Sequence, residues 1–312
     1  MSAASCLLGL ALLAAPAEPA EPAWAAEFER LDSPHFTFFH PDGQRPLAES
    51  LAERAEVDRR RILADLGSDR PRRARVVLCT GLACMQRAAP SQSRIPPWAA
   101  GVAFHRHDLV LLRTDSRTGR ARDLAQVLAH ELAHLALSAA VGHRRLPRWF
   151  QEGFAIHQAG EWTMGRVTAL GGAVLGDRLF SLEVLTDSFP SSPPDVELAY
   201  AQSIDFVAWL LGQYGRPRFH RLIGLLDRGW SFINAIEEAY DQGIFSLEAD
   251  WHTDLNLRFT WIPLVTGTAS LWGLATLVLV AAWLRKRRSR ALAMRMMPDD
   301  DEAPPPLTPS SP

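Results

Sequence analysis

At 312 residues, 47% of them hydrophobic, the chain is long enough to bury one sizeable core and still carry appendages. A formal net charge of −2 and a pI near 6.6 leave no electrostatic footprint for nucleic acid, so no nucleic-acid partner is expected. No repeat of about 20–50 residues is visible, which excludes a solenoid or propeller.

The chain opens on an apolar run, residues 7–15, followed by the small-residue sites Ala15-Pro16-Ala17 and Ala23-Trp24-Ala25. Residues 1–25 therefore read as a secretory signal peptide, although no Lys or Arg precedes the run; a misassigned start or an uncleaved anchor stays open. Cys6 falls in that leader and leaves Cys79 and Cys84 beyond it. In an oxidising compartment a local disulfide between these two is expected, with two reduced and buried thiols as the alternative.

Residues 35–40 (H-F-T-F-F-H) read as a strand between Pro34 and Pro41. Pro46 then opens a helix to about Leu66, with Leu47, Leu51, Ala55, Ile62 and Leu66 on one face and Gly67 as its stop. Residues 75–80 predict a second strand, 88–98 an irregular surface loop, and 101–104 with 108–114 a further strand or hairpin. His105 and His107 stand two apart there, on one strand face, either as a second metal pair or as solvated edge residues.

Residues 122–140 predict one helix, since Leu124, Val127, Leu128, Leu132 and Leu135 recur at helical spacing without Gly or Pro. Inside it lies His130-Glu131-Leu132-Ala133-His134, an H-E-x-x-H sequence. Two histidines four apart share a helical face, so both imidazoles can reach one zinc ion, and Glu131 beside them can take a proton from the water that ion activates. Two capped or surface histidines are the plain alternative.

Beyond a basic turn, Pro147 occupies a favourable first position for a helix over 148–158. Residues 160–176, with five glycines, read as a loop around a cleft, and 181–189 as a short helix. Four helices follow over 197–214, 217–226, 231–240 and 246–259, with Ser231 and Ser246 as N-caps. The expected fold class is α+β: a small mixed strand/helix N-terminal half, then a mainly helical C-terminal half, with the zinc helix at the junction.

Residues 261–284 carry no charge and are long enough to span a bilayer, with Trp261 and Trp283 near the ends. Arg285-Lys286-Arg287-Arg288-Ser289-Arg290 follows at once and is expected to stay cytoplasmic. This predicts a single-pass protein of the cytoplasmic (inner) membrane. Residues 26–260 would lie extracytoplasmically, in the periplasm, and 285–312 would form a cytoplasmic tail, basic and then disordered.

A catalytic zinc usually takes three protein ligands and keeps a position for water. Glu152 lies 18 residues beyond His134, enough for a turn and an antiparallel second helix. Its setting, Trp149-Phe150-Gln151-Glu152-Gly153-Phe154-Ala155, makes a W-x-x-E-G-x-A stretch that, with the H-E-x-x-H, resembles the gluzincin metallopeptidases. The longer L-P-R-W-F-Q-E-G-F-A, with Ala199-Tyr200-Ala201-Gln202-Ser203 downstream, is similar to a bacterial peptidase-MA-like domain family. That resemblance implies His130, His134 and Glu152 as zinc ligands and Glu131 as catalytic base. The stretch from Pro97 to Ala103 lacks the glutamate with which aminopeptidases bind a free amine, which favours an endopeptidase. Ile156 stands where thermolysin-like enzymes place an outer carboxylate, so the acid that should orient the histidines is unidentified.

For the tetrahedral oxyanion a donor besides zinc is needed; Tyr200 is the first candidate, with His157 and His143 competing and a plain core role for Tyr200 equally open. The edge at 102–104 could pair with an extended substrate. The expected partners are a peptide or protein substrate in the cell envelope and the membrane itself. A membrane-tethered zinc domain that binds a partner protein without cleaving it is the alternative.

Overall fold

In the computed structural model, residues 22–68, 73–91, 93–115, 124–261 and 268–295 are described. Most of the expected leader, residues 1–21, and the tail beyond 295 lie outside them. Trp24 and Ala25, read as the leader's end, sit in the 3-10 turn Ala23–Glu27; Ala25 is buried and the Trp24 ring stands edge-on to Phe39 at 5.2 Å.

Five strands make one sheet: β1 (Glu29–Asp32), β2 (Phe36–His40), β3 (Ala74–Cys79), β4 (Gly101–Phe104) and β5 (Leu109–Arg113), in the order β1-β2-β3-β5-β4. The two inner pairings, β2 with β3 and β3 with β5, are parallel, and the outer two antiparallel. Side chains alternate between faces: Phe36, Phe38, Val76, Leu78, Val110 and Leu112 enter the main core. Phe39, Val77, Cys79, Leu109 and Leu111 enter a smaller one on the other side. Both faces are covered, which is why these strands read as unbroken apolar runs.

The main face is covered by α1 (Arg45–Leu66) and α3 (Leu124–Ala140), the other by the Trp24 turn and the short α2 (Leu82–Ala88). A disulfide joins Cys79, at the end of β3, to Cys84 in α2, with Cα atoms 5.4 Å apart. The helical half comprises α4 (Arg148–Ala159), α5 (Met164–Leu175), α6 (Pro193–Asp227), α7 (Phe232–Tyr240) and α8 (Ile244–Asn256). Its core is aromatic: Trp149, Phe150, Phe154, Phe206, Phe219 and Trp251 are all fully buried.

The α+β order and the position of α3 between the halves follow the expectation; several local readings do not. β1 and α2 were not expected. Residues 160–176 contain α5 rather than a continuous loop, because Leu170 and Ala173 are buried and tertiary packing offsets the glycines. Residues 181–189 form turns, not a helix: the carbonyls of Leu185 and Thr186 accept from the N–H groups of Trp149 and Arg148 and so cap α4. The two helices expected at 197–214 and 217–226 are present as the two parts of α6, separated by the non-helical Gly215 (φ 75°, ψ 168°) ahead of Pro217; only the start differs, at Pro193. Gly243, not Ser246, precedes α8.

The expected membrane span, residues 261–284, lies only partly within the described residues. Leu257–Trp261 is a π-helical turn, residues 262–267 lie outside the described residues, and a last helix, α9, covers Thr268–Arg295. Among the described residues no helix is long and apolar enough to cross a membrane. From Thr268 the charge-free part of α9 ends at Leu284, about 25 Å at 1.5 Å per residue, against a hydrocarbon core of about 30 Å.

Candidate metal centre and its cleft

On α3, Gln126, His130 and His134 stand four apart and so share one face. Opposite them α4 presents Glu152, and the chain reverses between the two helices through the turn at 141–147. Close approach of α4 to α6 behind Glu152 requires Gly153: a Cβ there would stand 2.2 Å from the carbonyl oxygen of Ser203. Such a contact with backbone cannot relax by turning a side chain, so the small residue beside the acid is a packing requirement.

The ligand atoms converge. His130 Nε2 and His134 Nε2 are 3.1 Å apart, and Glu152 Oε2 lies 3.8 and 3.9 Å from them. A tetrahedral ion bound at about 2.0–2.1 Å separates its ligand atoms by about 3.3 Å. The triangle therefore fits one such ion after a few tenths of an ångström of closure. Without an ion the 3.1 Å contact is a hydrogen bond, given either by one ring's Nε2–H to the other's lone pair or by a charged imidazole. Burial, with Arg148 adding to it, holds His134 down to about 4, so the ring is neutral at pH 7, the form a metal requires. Among the described residues, His130, His134 and Glu152 are the one group of three whose ligand atoms lie within 4.8 Å of one another and could hold a metal ion.

Glu131 sits beside this triangle without belonging to it. Burial first, then the Glu152 carboxylate and more weakly Glu161, push it up to about 8, against a backbone hydrogen bond from Ala103. Ala103 lies in β4, the terminal strand of the sheet, so the strand's free edge faces the base. The approach depends on Gly101, where a Cβ would stand 2.8 Å from Val127 Cγ1 and 2.9 Å from Glu131 Cγ. Burial also raises Glu152, opposed by Arg148 and Arg166.

These groups open on a cleft of about 720 Å³, within the range of substrate sites. One wall is the loop and edge strand from Pro97 to Gly101; the other carries Glu161, Arg166, Glu197 and Tyr200. Arg113 pins the first wall from below, donating to Pro97 O at 2.7 Å while paired with Asp115 at 2.8 Å. Tyr200 faces the cleft, its ring edge-on to Phe189 at 5.1 Å and its hydroxyl bonded to Arg148. Burial, then Glu152, raise its pKa, so it stays a proton-bearing donor. The rest of its motif is structural: buried Gln202 exchanges two hydrogen bonds with the Phe180 backbone, and Ser203 underlies Gly153.

The competing histidines lie elsewhere. His157 faces Asp65, Arg61 and Arg216 on the α1 side, and burial lowers it. His143 accepts or donates at Nδ1 with Ser138 Oγ, 3.1 Å away, and lines a smaller cavity of about 170 Å³ with His105 and His134. His105 and His107 are in a turn, not on one strand face; His107 is exposed, and the His105 ring stands 6.2 Å from that of His134. Burial, with His134 and His143 adding to it, lowers His105 to about 4. Arg148, Glu161, Arg166 and Glu197 were not singled out in the sequence. Of these only Arg148 left a signal, one turn ahead of Glu152 on the same helix and 4.0 Å from it.

Comparison with known families adds an independent line. The family profile described as the peptidase MA superfamily matches residues 83–256, which takes in β4, β5 and α3 through α8 and so the whole cleft. No curated protein matches the chain.

Proposed function

The chain belongs to the peptidase MA superfamily, and from that premise we propose that it is a zinc-dependent endopeptidase of the gluzincin type. The observation that carries this reading is the convergence of His130 Nε2, His134 Nε2 and Glu152 Oε2 beside Glu131 in one open cleft. Nitrogen and carboxylate ligands in a three-residue set suit a catalytic zinc, which when bound polarises a carbonyl and lowers the pKa of water to about 7.

Everything else is done by the chain. Glu131 takes the proton of the attacking water and returns it to the leaving amine, a role its place beside the ligand triangle, but outside it, allows. Tyr200 donates its hydroxyl proton towards the oxyanion, while the Arg148 guanidinium on its oxygen and the Phe189 ring beside it fix its direction. The free edge of β4 offers backbone groups to an extended peptide. Endo-cleavage is favoured because the outer acids of the cleft, Glu161 and Glu197, flank Arg166 at 3.5 and 3.3 Å instead of awaiting a substrate amine.

The purified protein should bind about one Zn²⁺ per chain and cut internal bonds of unstructured peptides, with activity lost to a chelator and restored by Zn²⁺. Stoichiometric zinc without cleavage would instead support a domain that only binds a partner; a protein that takes up no metal would end the reading.

The proposed location is the cytoplasmic membrane, with the peptidase domain on its extracytoplasmic side and envelope proteins or peptides as substrates. The charge-free sequence from Trp261 to Leu284, the basic cluster from Arg285, and the exposure of Trp272, Leu277 and Leu279 on α9 support it. The Cys79–Cys84 disulfide accords with an oxidising compartment. The full chain should stay in the membrane pellet after alkaline carbonate, and a chain ending at Trp261 should not; release of both would remove the anchor.

A further inference from the structure

A histidine ligand needs its second ring nitrogen held, usually by a carboxylate or carbonyl, to fix its tautomer and aim. Position 156, one turn beyond Glu152, holds buried Ile156 and so provides no acid. We propose that Glu161, from the loop after α4, is the positioning residue for His130; this rests on the metal reading above.

The two nitrogens of His130 face two different carboxylates. Nε2 points to Glu152, 3.8 Å away, and Nδ1 to Glu161 Oε1, 3.6 Å away. The second distance is longer than a hydrogen bond; an ion on Nε2 would leave the ring proton on Nδ1, the nitrogen that faces Glu161.

Glu161 does not reach His130 by chance of a mobile loop, because three groups fix it. Gly160 ends α4 in the left-handed conformation, φ 67°, which turns the chain back so that Glu161 N–H donates to Ile156 O at 3.2 Å. Gln126, one turn before His130 on α3, donates to the carbonyls of Ala159 and Gly160 at 3.3 and 3.2 Å. The helix that carries the ligand therefore also clamps the loop that carries the acid. Arg166, near the start of α5 where Thr163 caps its N–H, donates to the Glu161 carbonyl and faces Glu161 Oε2 at 3.5 Å. One carboxylate oxygen is thus turned to Arg166 and the other to His130.

Glu197 supplies the internal control. It meets the same arginine, Arg166 Nε to Glu197 Oε1 at 3.3 Å, lines the same cleft, and makes no contact with a ligand histidine. If Glu161 acted only by adding negative charge or bracing Arg166, Glu197 would matter as much.

The test is Zn²⁺ affinity by chelator competition, together with the visible spectrum of the Co²⁺-loaded protein, for wild type, Glu161→Ala, Glu161→Gln and Glu197→Gln. Glu161→Ala should bind Zn²⁺ about 10–100-fold more weakly and shift the Co²⁺ bands. Glu161→Gln, whose amide oxygen can still accept from Nδ1–H, should recover part of the affinity, and Glu197→Gln should match wild type. Equal affinity for Glu161→Ala and wild type overturns the inference alone, as does a loss in Glu197→Gln as large as in Glu161→Ala. A wild type that binds no Zn²⁺ overturns the metal reading and this inference with it.

Discussion

Replacing Glu131 by Gln is expected to lower peptide cleavage about 10²–10⁴-fold, the range for loss of a positioned general base, with the metal still bound. The carboxylate lies outside the ligand triangle, so Zn²⁺ content should stay near one per chain. Gln keeps the size that fits beneath Gly101 and can still accept the Ala103 hydrogen bond through its amide oxygen. The fold should therefore survive. In the metal-free site Glu131 is pushed up to about 8, where it would be too often protonated to serve as a base at neutral pH. Once a dication fills the site the same carboxylate titrates lower, since a nearby positive charge favours its ionised form. The acid limb of kcat/KM should accordingly fall below pH 8. Cleavage by Glu131→Gln at the wild-type rate, with zinc retained, would remove the residue from the mechanism.

How much of this could be read from residues alone divides along a physical line. The triad was legible because its spacing is set by helix geometry: His130 and His134 share a face at i and i+4, and α3 carries a clean apolar stripe. Glu152 needed more, a second helix and its packing residue Gly153, and became visible only through the W-x-x-E-G-x-A setting. The roles of Glu161 and Arg166 were illegible. They come from a loop and from the start of α5, and their meeting with His130 depends on the turn at Gly160 and the clamp from Gln126. No periodicity encodes such a contact.

The helix containing Arg166 was itself missed for a local reason. Its stretch has glycines at 165, 171 and 172, each unfavourable in a helix by about 1 kcal/mol relative to Ala. In the fold one of them is used: a Cβ on Gly171 would stand 2.9 Å from the Phe259 ring, so the π-helical turn after α8 packs directly on α5. The same limit explains the reading of residues 181–189. Their pattern suits a short helix, but Leu185 and Thr186 turn their carbonyls to the start of α4, where they satisfy donors that would otherwise be buried unpaired.

Glu152→Gln is expected to act in opposite directions on the two forms of the protein. With a ligand charge removed, Zn²⁺ affinity should drop by more than about 100-fold, beyond the effect of an outer partner, and cleavage should go with it. Without metal the variant should melt no lower than wild type, and higher in alkaline buffer, because burial already penalises the Glu152 charge and that charge in turn raises Glu131. Glu131 sets the pH window. Its folded value of about 8 lies above the ordinary 4.5, so the folded protein holds a proton there that the unfolded chain has released. That contribution is complete below about pH 4.5 and is lost as pH rises through 8. His134, held down to about 4 from 6.5, works on the other side: its contribution is complete above about 6.5 and is lost as pH falls through 4. Melts in chelator from pH 4 to 9 should thus peak between the two limbs, and Zn²⁺ should flatten the alkaline one. A metal-free Glu152→Gln that melts below wild type at pH 8 would mean the carboxylate serves the fold. The ordering expected here instead makes Glu152 a residue kept for its ligand at the expense of the empty site.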